Sequence, residues 1–257
     1  MAERTRFLRK LSEGEKFRFR CHKQLPCFNK CCSDVNIFLT PYDVLRMRRT
    51  LWIPSTEFLK QYTISLLGQD GLPYVLIRMM DNENKSCPFL GQEGCMIYQD
   101  RPWSCRMYPL FPEPGKDGQS YMIEEKPSCY GINEEEEWTI EEWKENQGVK
   151  RYDEMNALYS EITSHEFFTA GRKLDEKKSK LLYRACYDLD EFRTFLFAWK
   201  FLDMFDMEEE TIKELEQDDE KLLLFAFKWV RFNLFNEDVL NIKSGKKYEA
   251  LRAMRGK

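Results

Sequence analysis

Hydrophobic and polar positions alternate with a period of two along "KFRFRC", Lys16–Cys21, which predicts a half-buried strand leading into the first cysteines. The period then lengthens. In "NIFLTPYDVLRMRRTL" a helix is expected with Thr40 as N-cap, Pro41 at the first helical position and Asp43 in the first turn. A second short helix is expected over "STEFLKQY". "YVLIRMM" (Tyr74–Met80), "CMIY" (Cys95–Tyr98) and "SYMIEE" (Ser120–Glu125) read as strands. Pro102 opens a turn or brief helix that Pro109 closes.

From Thr139 onward the pattern is helical. "TIEE" pairs Thr139 with Glu142 as a capping box. "DLDEFRTFLFAWKFLDMF" places Phe192, Phe195, Trp199 and Leu202 on one helical face, a stripe that reads as bundle core. "DEKLLLFAFKWVRFNLF" is apolar nearly all round, as a central helix of a bundle would be. The acidic run Glu134–Glu137 reads as a solvated linker or a helix entry. The expected fold class is α+β, mostly α. A small mixed cysteine module with short strands over residues 1–133 precedes a helical, bundle-like half over 134–257.

Charge and composition narrow the function classes. The 257 residues are 42% hydrophobic with a net charge of −4, enough apolar material for a packed core. Residues 1–133 hold 19 Lys and Arg against 15 Asp and Glu, and residues 134–257 hold 21 against 29. Neither balance favours a nucleic-acid partner. The start "MAERTRFLRKLSEGEK" is charged throughout, and no window reaches the roughly 18 apolar residues of a membrane span. The expectation is a cytoplasmic protein with no membrane partner, where thiols stay reduced.

Cysteine usage then decides the candidate chemistry. Eight of the nine cysteines fall between residues 21 and 129: Cys21, Cys27, Cys31, Cys32, Cys87, Cys95, Cys105 and Cys129. In a reducing compartment such density points to metal rather than to disulfides. An all-sulfur donor set selects zinc or an iron–sulfur cluster over hard cations. The spacing includes no Cys-x2-Cys knuckle and no common ferredoxin run. That favours an iron–sulfur centre, [4Fe–4S] first, with zinc the alternative. Eight ligands suffice for two four-coordinate centres, or for one centre with spare thiols. The adjacent Cys31 and Cys32 serve different centres or different sides of one cluster, with a strained vicinal disulfide as the redox alternative. Cys186 stands alone in a helical pattern and reads as a buried hydrophobe. His22 is open between ligand and surface residue, and His165 reads as a surface or capping residue. Arg101 and Arg106 flank Cys105, where they could tune a cluster, hold an anionic group or form structural contacts.

"CFNKCC", "CPFLGQEGCMIYQDRPWSCRMYP" and "CYGI" resemble the YkgJ family of cysteine-cluster proteins, described as a zinc- or iron-chelating domain, over residues 17–132. The spacing Cys21-x5-Cys27-x3-Cys31-Cys32 is wider than that family's pattern, which leaves open whether Cys21 or Cys27 takes each N-terminal ligand role. The helical remainder is similar to the tail of longer bacterial members. The resemblance implies metal binding. It also implies, as an alternative, an S-adenosylmethionine-dependent protein-lysine methyltransferase related to flagellin lysine N-methylase, with a protein substrate. No Gly-rich dinucleotide-type loop is present to hold that methyl donor. A third reading is a zinc-stabilised module whose acidic helical half docks a protein partner.

Overall fold

The computed structural model describes residues 8–113, 120–125, 128–198 and 201–243. It is a mixed α+β structure, mostly helical, with short strands in small sheets. Trp199, expected on the aromatic stripe, lies outside the described residues. The chain forms two compact units that interleave in sequence: 1–37 with 78–153, and 38–77 with 154–257. A single cut at residue 133 therefore does not describe them. Residues 38–77 join the later helices, and 134–153 join the cysteines.

The first unit holds all eight clustered cysteines. Its three-stranded antiparallel sheet runs in the order Leu8–Lys10, Tyr121–Glu124, Leu110–Pro112, with Arg9 opposite Ile123 and Phe111 opposite Met122. The period-two stretch behaves as its pattern dictates: Phe17 and Phe19 are buried and Arg18 and Arg20 exposed. Only Phe17–Arg18 is regular strand, paired with Glu137–Trp138. The pairing continues irregularly, Phe19 N–H donating to Glu136 C=O at 3.0 Å and Arg20 N–H to Gly131 C=O at 3.0 Å.

The acidic run is thus an edge partner and not a linker. Arg18 pairs with Glu137 at 3.2 Å, Arg20 with Glu136 at 3.5 Å and His22 with Glu134 at 3.2 Å. Alternation puts these charges on one exposed rim, where opposite charges across two strands stabilise the pairing modestly. The expected capping box is present on the helix Ile140–Asn146, Thr139 and Glu142 each satisfying the other's backbone. That helix delivers Trp143 to a core of Leu11, Phe17, Phe19, Met107, Leu110, Tyr121, Ile123 and Val149. Phe17, Phe19 and Trp138 meet Trp143 edge-on at 6.1, 5.4 and 5.4 Å, each contact worth about 1 kcal/mol beyond burial.

The second unit opens with a three-stranded antiparallel sheet, Phe38–Leu39, Pro73–Ile77, Thr63–Leu67. The helices Pro41–Leu51 and Ser55–Tyr62 fall where capping and periodicity place them, the first with the Thr40–Asp43 capping box. The helix Asp219–Phe235 buries Leu222, Leu223, Phe225, Ala226, Phe227, Trp229, Val230 and Leu234, so its all-round apolar character is met by neighbours on most sides. Phe192 lies tilted against Trp229 at 5.2 Å, and Phe195 packs edge-on to Trp229 at 5.8 Å. The described part of the aromatic stripe packs in the core. It comprises the helix Leu189–Ala198 and the 3-10 turn Phe201–Met204. Cys186 is fully buried in this core, and His165 caps the helix Glu166–Thr169 by accepting from Phe167 N–H at 3.0 Å. Among the described residues no helix is long and apolar enough to cross a membrane.

Candidate metal centre

Residues 20–36 carry four of the cysteines and not one buried side chain. Hydrophobic burial, the dominant ordering force elsewhere, does not act on this segment. What shapes it is a succession of tight backbone turns. Leu25 N–H donates to His22 C=O, Phe28 to Leu25, Lys30 to Cys27 and Cys32 to Asn29, all at 2.9–3.1 Å. Asn29, in the left-handed region at φ 69°, starts the 3-10 turn Lys30–Cys32. Consecutive side chains on such a turn point about 120° apart, yet the Cys31 and Cys32 thiols still meet in a hydrogen bond.

The other four cysteines come from three places. Cys87 is tied to Cys32, its N–H donating to the Cys32 C=O at 2.8 Å beside an antiparallel bridge between Ser33 and Ser86. Cys95 lies opposite Leu90 in the hairpin of Leu90–Gly91 and Gly94–Cys95, not in a longer strand to Tyr98. Gly94 makes that turn at φ +116°, where a side chain would also press on the Phe28 ring. Cys105 sits inside the five-residue helix Trp103–Met107. Cys129 precedes the 3-10 turn Tyr130–Asn133 and packs against the hydrophobic core together with Tyr108.

Four sulfurs accept hydrogen bonds from the backbone. Tyr130 N–H donates to Cys27 Sγ at 3.2 Å. Cys87, Cys95 and Cys129 each accept from the amide two residues ahead, those of Phe89, Ile97 and Gly131. The Tyr108 hydroxyl donates to Cys129 as well. Donors aimed at sulfur favour the thiolate, the form that binds metal. None of these amide donors carries a signal in the sequence, because every non-proline residue offers a backbone amide.

Opposing forces meet on the thiols. Loss of surrounding water, then the charges of Cys31, Cys129 and Cys27, push Cys21, itself at the surface, up to about 11, with Arg101 working the other way. Burial pushes Cys87 up to about 11 against the Phe89 amide. Cys32 is raised furthest, by its hydrogen bond with Cys31, by burial and by the charges of Cys31, Cys105 and Cys87. Burial also raises Cys95 and Cys129. Several thiolates crowded together repel; a bound cation removes that repulsion and displaces the protons. A soft cation or an iron–sulfur cluster fits this donor set, which is all sulfur with amide and hydroxyl donors behind it. As the chain stands, no group of three or more His, Cys, Asp or Glu among the described residues is gathered closely enough to hold a metal ion. No disulfide links the described cysteines.

The two arginines differ in placement. Arg106 is spent on backbone: it donates to the carbonyls of Arg101 at 3.1 Å, of Gln147 at 2.5 Å and of Gln99, and lies 4.8 Å from the Tyr152 ring centre. Arg101 donates to Gln147, covers the Tyr98 ring at 3.9 Å, and keeps a buried Nε without a hydrogen-bond partner. Its charge acts on both Cys21 and Cys95. His22 engages Gln24 at 2.8 Å through one ring nitrogen and Glu134 through the other.

Gly131 is required by close approach. A Cβ there would stand 2.8 Å from the Arg20 carbonyl oxygen and 3.0 Å from the Phe19 ring. Gly131→Ala is expected to cost about 1–3 kcal/mol through overpacking and to displace the amide that serves Cys129. Urea unfolding and metal content of the variant measure both effects.

Scanned against protein families, residues 20–147 match CxxCxxCC, "Putative zinc- or iron-chelating domain". No curated protein and no solved structure matches the chain.

Proposed function

We propose, on the premise that this chain is a member of the CxxCxxCC zinc- or iron-chelating family through residues 20–147, that its cysteine unit holds iron as a cysteine-ligated iron–sulfur centre of the [4Fe–4S] type. The observation that carries this reading is the set of hydrogen bonds converging on cysteine sulfurs in a region whose N-terminal segment has no buried side chain. Cys21, Cys27, Cys31, Cys32, Cys87, Cys95, Cys105 and Cys129 are the ligands available to it. Such a centre supplies one-electron transfer or a structural brace.

The chain's own residues set the environment. The amides of Phe89, Ile97 and Gly131 and the Tyr108 hydroxyl favour the charged sulfurs against burial, and the Tyr130 amide donates to Cys27 Sγ. Arg101 adds positive charge between Cys21 and Cys95, and Arg106 fixes the Cys105 helix against Gln99 and Gln147. Hydrogen bonds and charge of this kind raise the reduction potential of a thiolate-bound centre.

Iron, zinc and acid-labile sulfide measured on anaerobically purified protein, with its visible spectrum, test the proposal. Matching iron and sulfide with a broad band near ~400 nm is expected, reduced in Cys105→Ser and retained in Cys186→Ser. Colourless protein with stoichiometric zinc and no iron would overturn the cluster and leave a zinc-stabilised module.

A further inference from the structure

We infer that the strand Thr63–Leu67 is an interface between two copies of this chain: its open edge pairs antiparallel with the same strand of a second copy, about a two-fold axis at Ser65. The surface belongs wholly to the second unit, and nothing in it depends on metal.

The register shows which backbone groups the edge leaves open. Among the described strands Thr63–Leu67 has one neighbour, Pro73–Ile77, with Ile64 opposite Leu76, Ser65 opposite Val75 and Leu66 opposite Tyr74. At the turn, Gly68 N–H donates to Leu72 C=O at 2.9 Å, and Gly71, left-handed at φ +83°, donates to Gly68 C=O at 3.0 Å. This is a type of hairpin closed by a glycine bulge, and it makes Gly68 with Leu72 a hydrogen-bonded pair. Such pairs alternate along an antiparallel ladder, so Leu66 with Tyr74 and Ile64 with Leu76 come next. Ser65 and Leu67 fall between them. Their amides and carbonyls therefore point away from Pro73–Ile77, toward the open edge, where no backbone group among the described residues meets them.

Both faces of the strand are open as well. Phe38, Ile64, Leu66 and Tyr74 share one face, by direct opposition and by the Phe38–Tyr74 ring contact at 6.3 Å, and are 41–53% exposed. On the other face Ser65 and Leu67 line an open cleft against Ser179, Lys180, Tyr183 and Arg184 of the helix Glu176–Cys186. The turn beyond is pinned to that helix and its approach: Ser179 Oγ donates to Gly71 C=O at 2.6 Å and Leu174 N–H to Asp70 C=O at 2.9 Å. The edge is thus held in place and bare. Folded proteins guard such an edge with lysine, proline or a bulge in the strand. This one reads "TISLL", with no charge and no proline.

Three features select a second copy over a foreign segment. Turned antiparallel about Ser65, the strand sets Ile64 of one copy against Leu66 of the other. The outward amide and carbonyl of Ser65 then meet their own kind, and the apolar side chains meet on the apolar face, in the closely spaced pairs without hydrogen bonds. Next, the axis brings opposite charges to each end of the pairing. Lys60 lies five residues before Ser65 and Asp70 five after it. Lys60, exposed in the last turn of the helix Ser55–Tyr62, has no ion pair among the described residues, and the Asp70 carboxylate holds the Leu72 N–H at 2.9 Å. Finally, the charges of the cleft are matched already, Lys180 to Glu176 at 2.5 Å and Arg184 to Glu191 at 2.9 Å. Its walls offer no single sign to choose a charged peptide. Five residues per strand make a small interface, at or below the roughly 1,200 Å² where stable complexes begin, so the dimer is reversible.

Sedimentation of the full, metal-loaded chain under reducing conditions tests this. The mean mass is expected to rise with concentration from the 31.0 kDa of the monomer toward twice that value. Ser65→Lys and Ser65→Glu each set like charges face to face on the axis and should weaken the dimer about five- to tenfold. An equimolar mixture of the two should associate again, because opposite charges then face each other. Leu66→Lys, at an exposed position, is the second variant and should weaken association as well. Helical circular dichroism confirms that each variant folds. A native chain that stays monomeric at every concentration overturns the inference. So does a dimer that both single-site changes leave intact, which belongs to another surface. A mixture that associates no better than either Ser65 variant alone also overturns it, by moving the axis off Ser65.

Discussion

Chelation of the metal-loaded chain is expected to release residues 20–36 and 79–105 from order while the second unit stays folded. Residues 20–36 bury no side chain, and between 79 and 86 none is buried either. A backbone held only by turns regains about 1–2 kcal/mol of conformational entropy per residue once its tether is gone. Ordering the 17 residues 20–36 costs about 17–34 kcal/mol; a structural metal site offsets on the order of 10 kcal/mol of that, a share that isolated turns do not replace. The core around Phe19, Met107 and Trp143 should keep the three-stranded sheet of the first unit partly protected. Hydrogen exchange checks this directly. Amide protection between Cys21 and Asn36 should fall by about 100-fold or more on metal removal, and trypsin should cut rapidly at Lys23, Lys30 and Lys85. Exchange in Pro41–Leu51, Glu176–Cys186 and Asp219–Phe235 should not change. Equal protection with and without metal would show that these loops are ordered by something other than ligation.

Replacing Asp219 is expected to destabilise the second unit by about 3 kcal/mol at neutral pH, the lower end for breaking a buried ion cluster. Arg48, Arg49 and Arg193 all converge on this one carboxylate, Arg49 at 3.2 Å. Asp219 and Arg48 are only 13% and 12% exposed. Without the carboxylate, the three guanidinium groups repel one another, and the largely buried Arg48 and Arg193 are left sharing Asp190, at 3.8 and 3.2 Å. Arg48 already keeps a buried Nε without a partner, as does Arg193. Burial alone would raise the Asp219 carboxyl; the hydrogen bond from Arg193 and the charges of Arg48 and Arg193 outweigh it and hold the group below its ordinary value. A carboxyl depressed in the folded state stabilises above its unfolded value, near ~3.9, and loses that contribution as pH falls through the folded value. The gap between the native chain and Asp219→Asn should therefore be full at pH 7 and shrink below about pH 4. Urea unfolding followed by the helical signal at both pH values measures it. A gap that persists unchanged in acid would assign the loss to packing rather than charge.

The sequence by itself determined local structure wherever one physical rule acted alone. Thr40, Pro41 and Asp43 start a helix because side-chain caps and proline's fixed φ satisfy orphan amides without help from elsewhere. Thr139 and Glu142 do the same. Phe17 and Phe19 turn inward by alternation, and the apolar run of Asp219–Phe235 announced a helix surrounded by partners. Cysteine density, with the chemistry of thiolates, named the metal-binding class before any fold was known, and family membership agrees.

Tertiary structure decided what depends on residues far apart in the chain. Glu134–Glu137 looked like a linker because charge runs usually face water; they do face water, but as the partner edge of Arg18, Arg20 and His22 about 115 residues earlier. Residues 38–77 belong with the later helices because their sheet and helices bury Val44, Leu45, Met47 and Phe58 within that unit, and no local pattern states which core a hydrophobic face will join. Phe201–Met204 is a 3-10 turn, although the apolar period that runs through Phe192 extends over it. The amides that serve the sulfurs, and the backbone pairing of Cys87 with Cys32, exist only after folding. A hydrogen bond from Tyr130 to Cys27 spans 103 residues, and sequence spacing carries information about reach only along the chain.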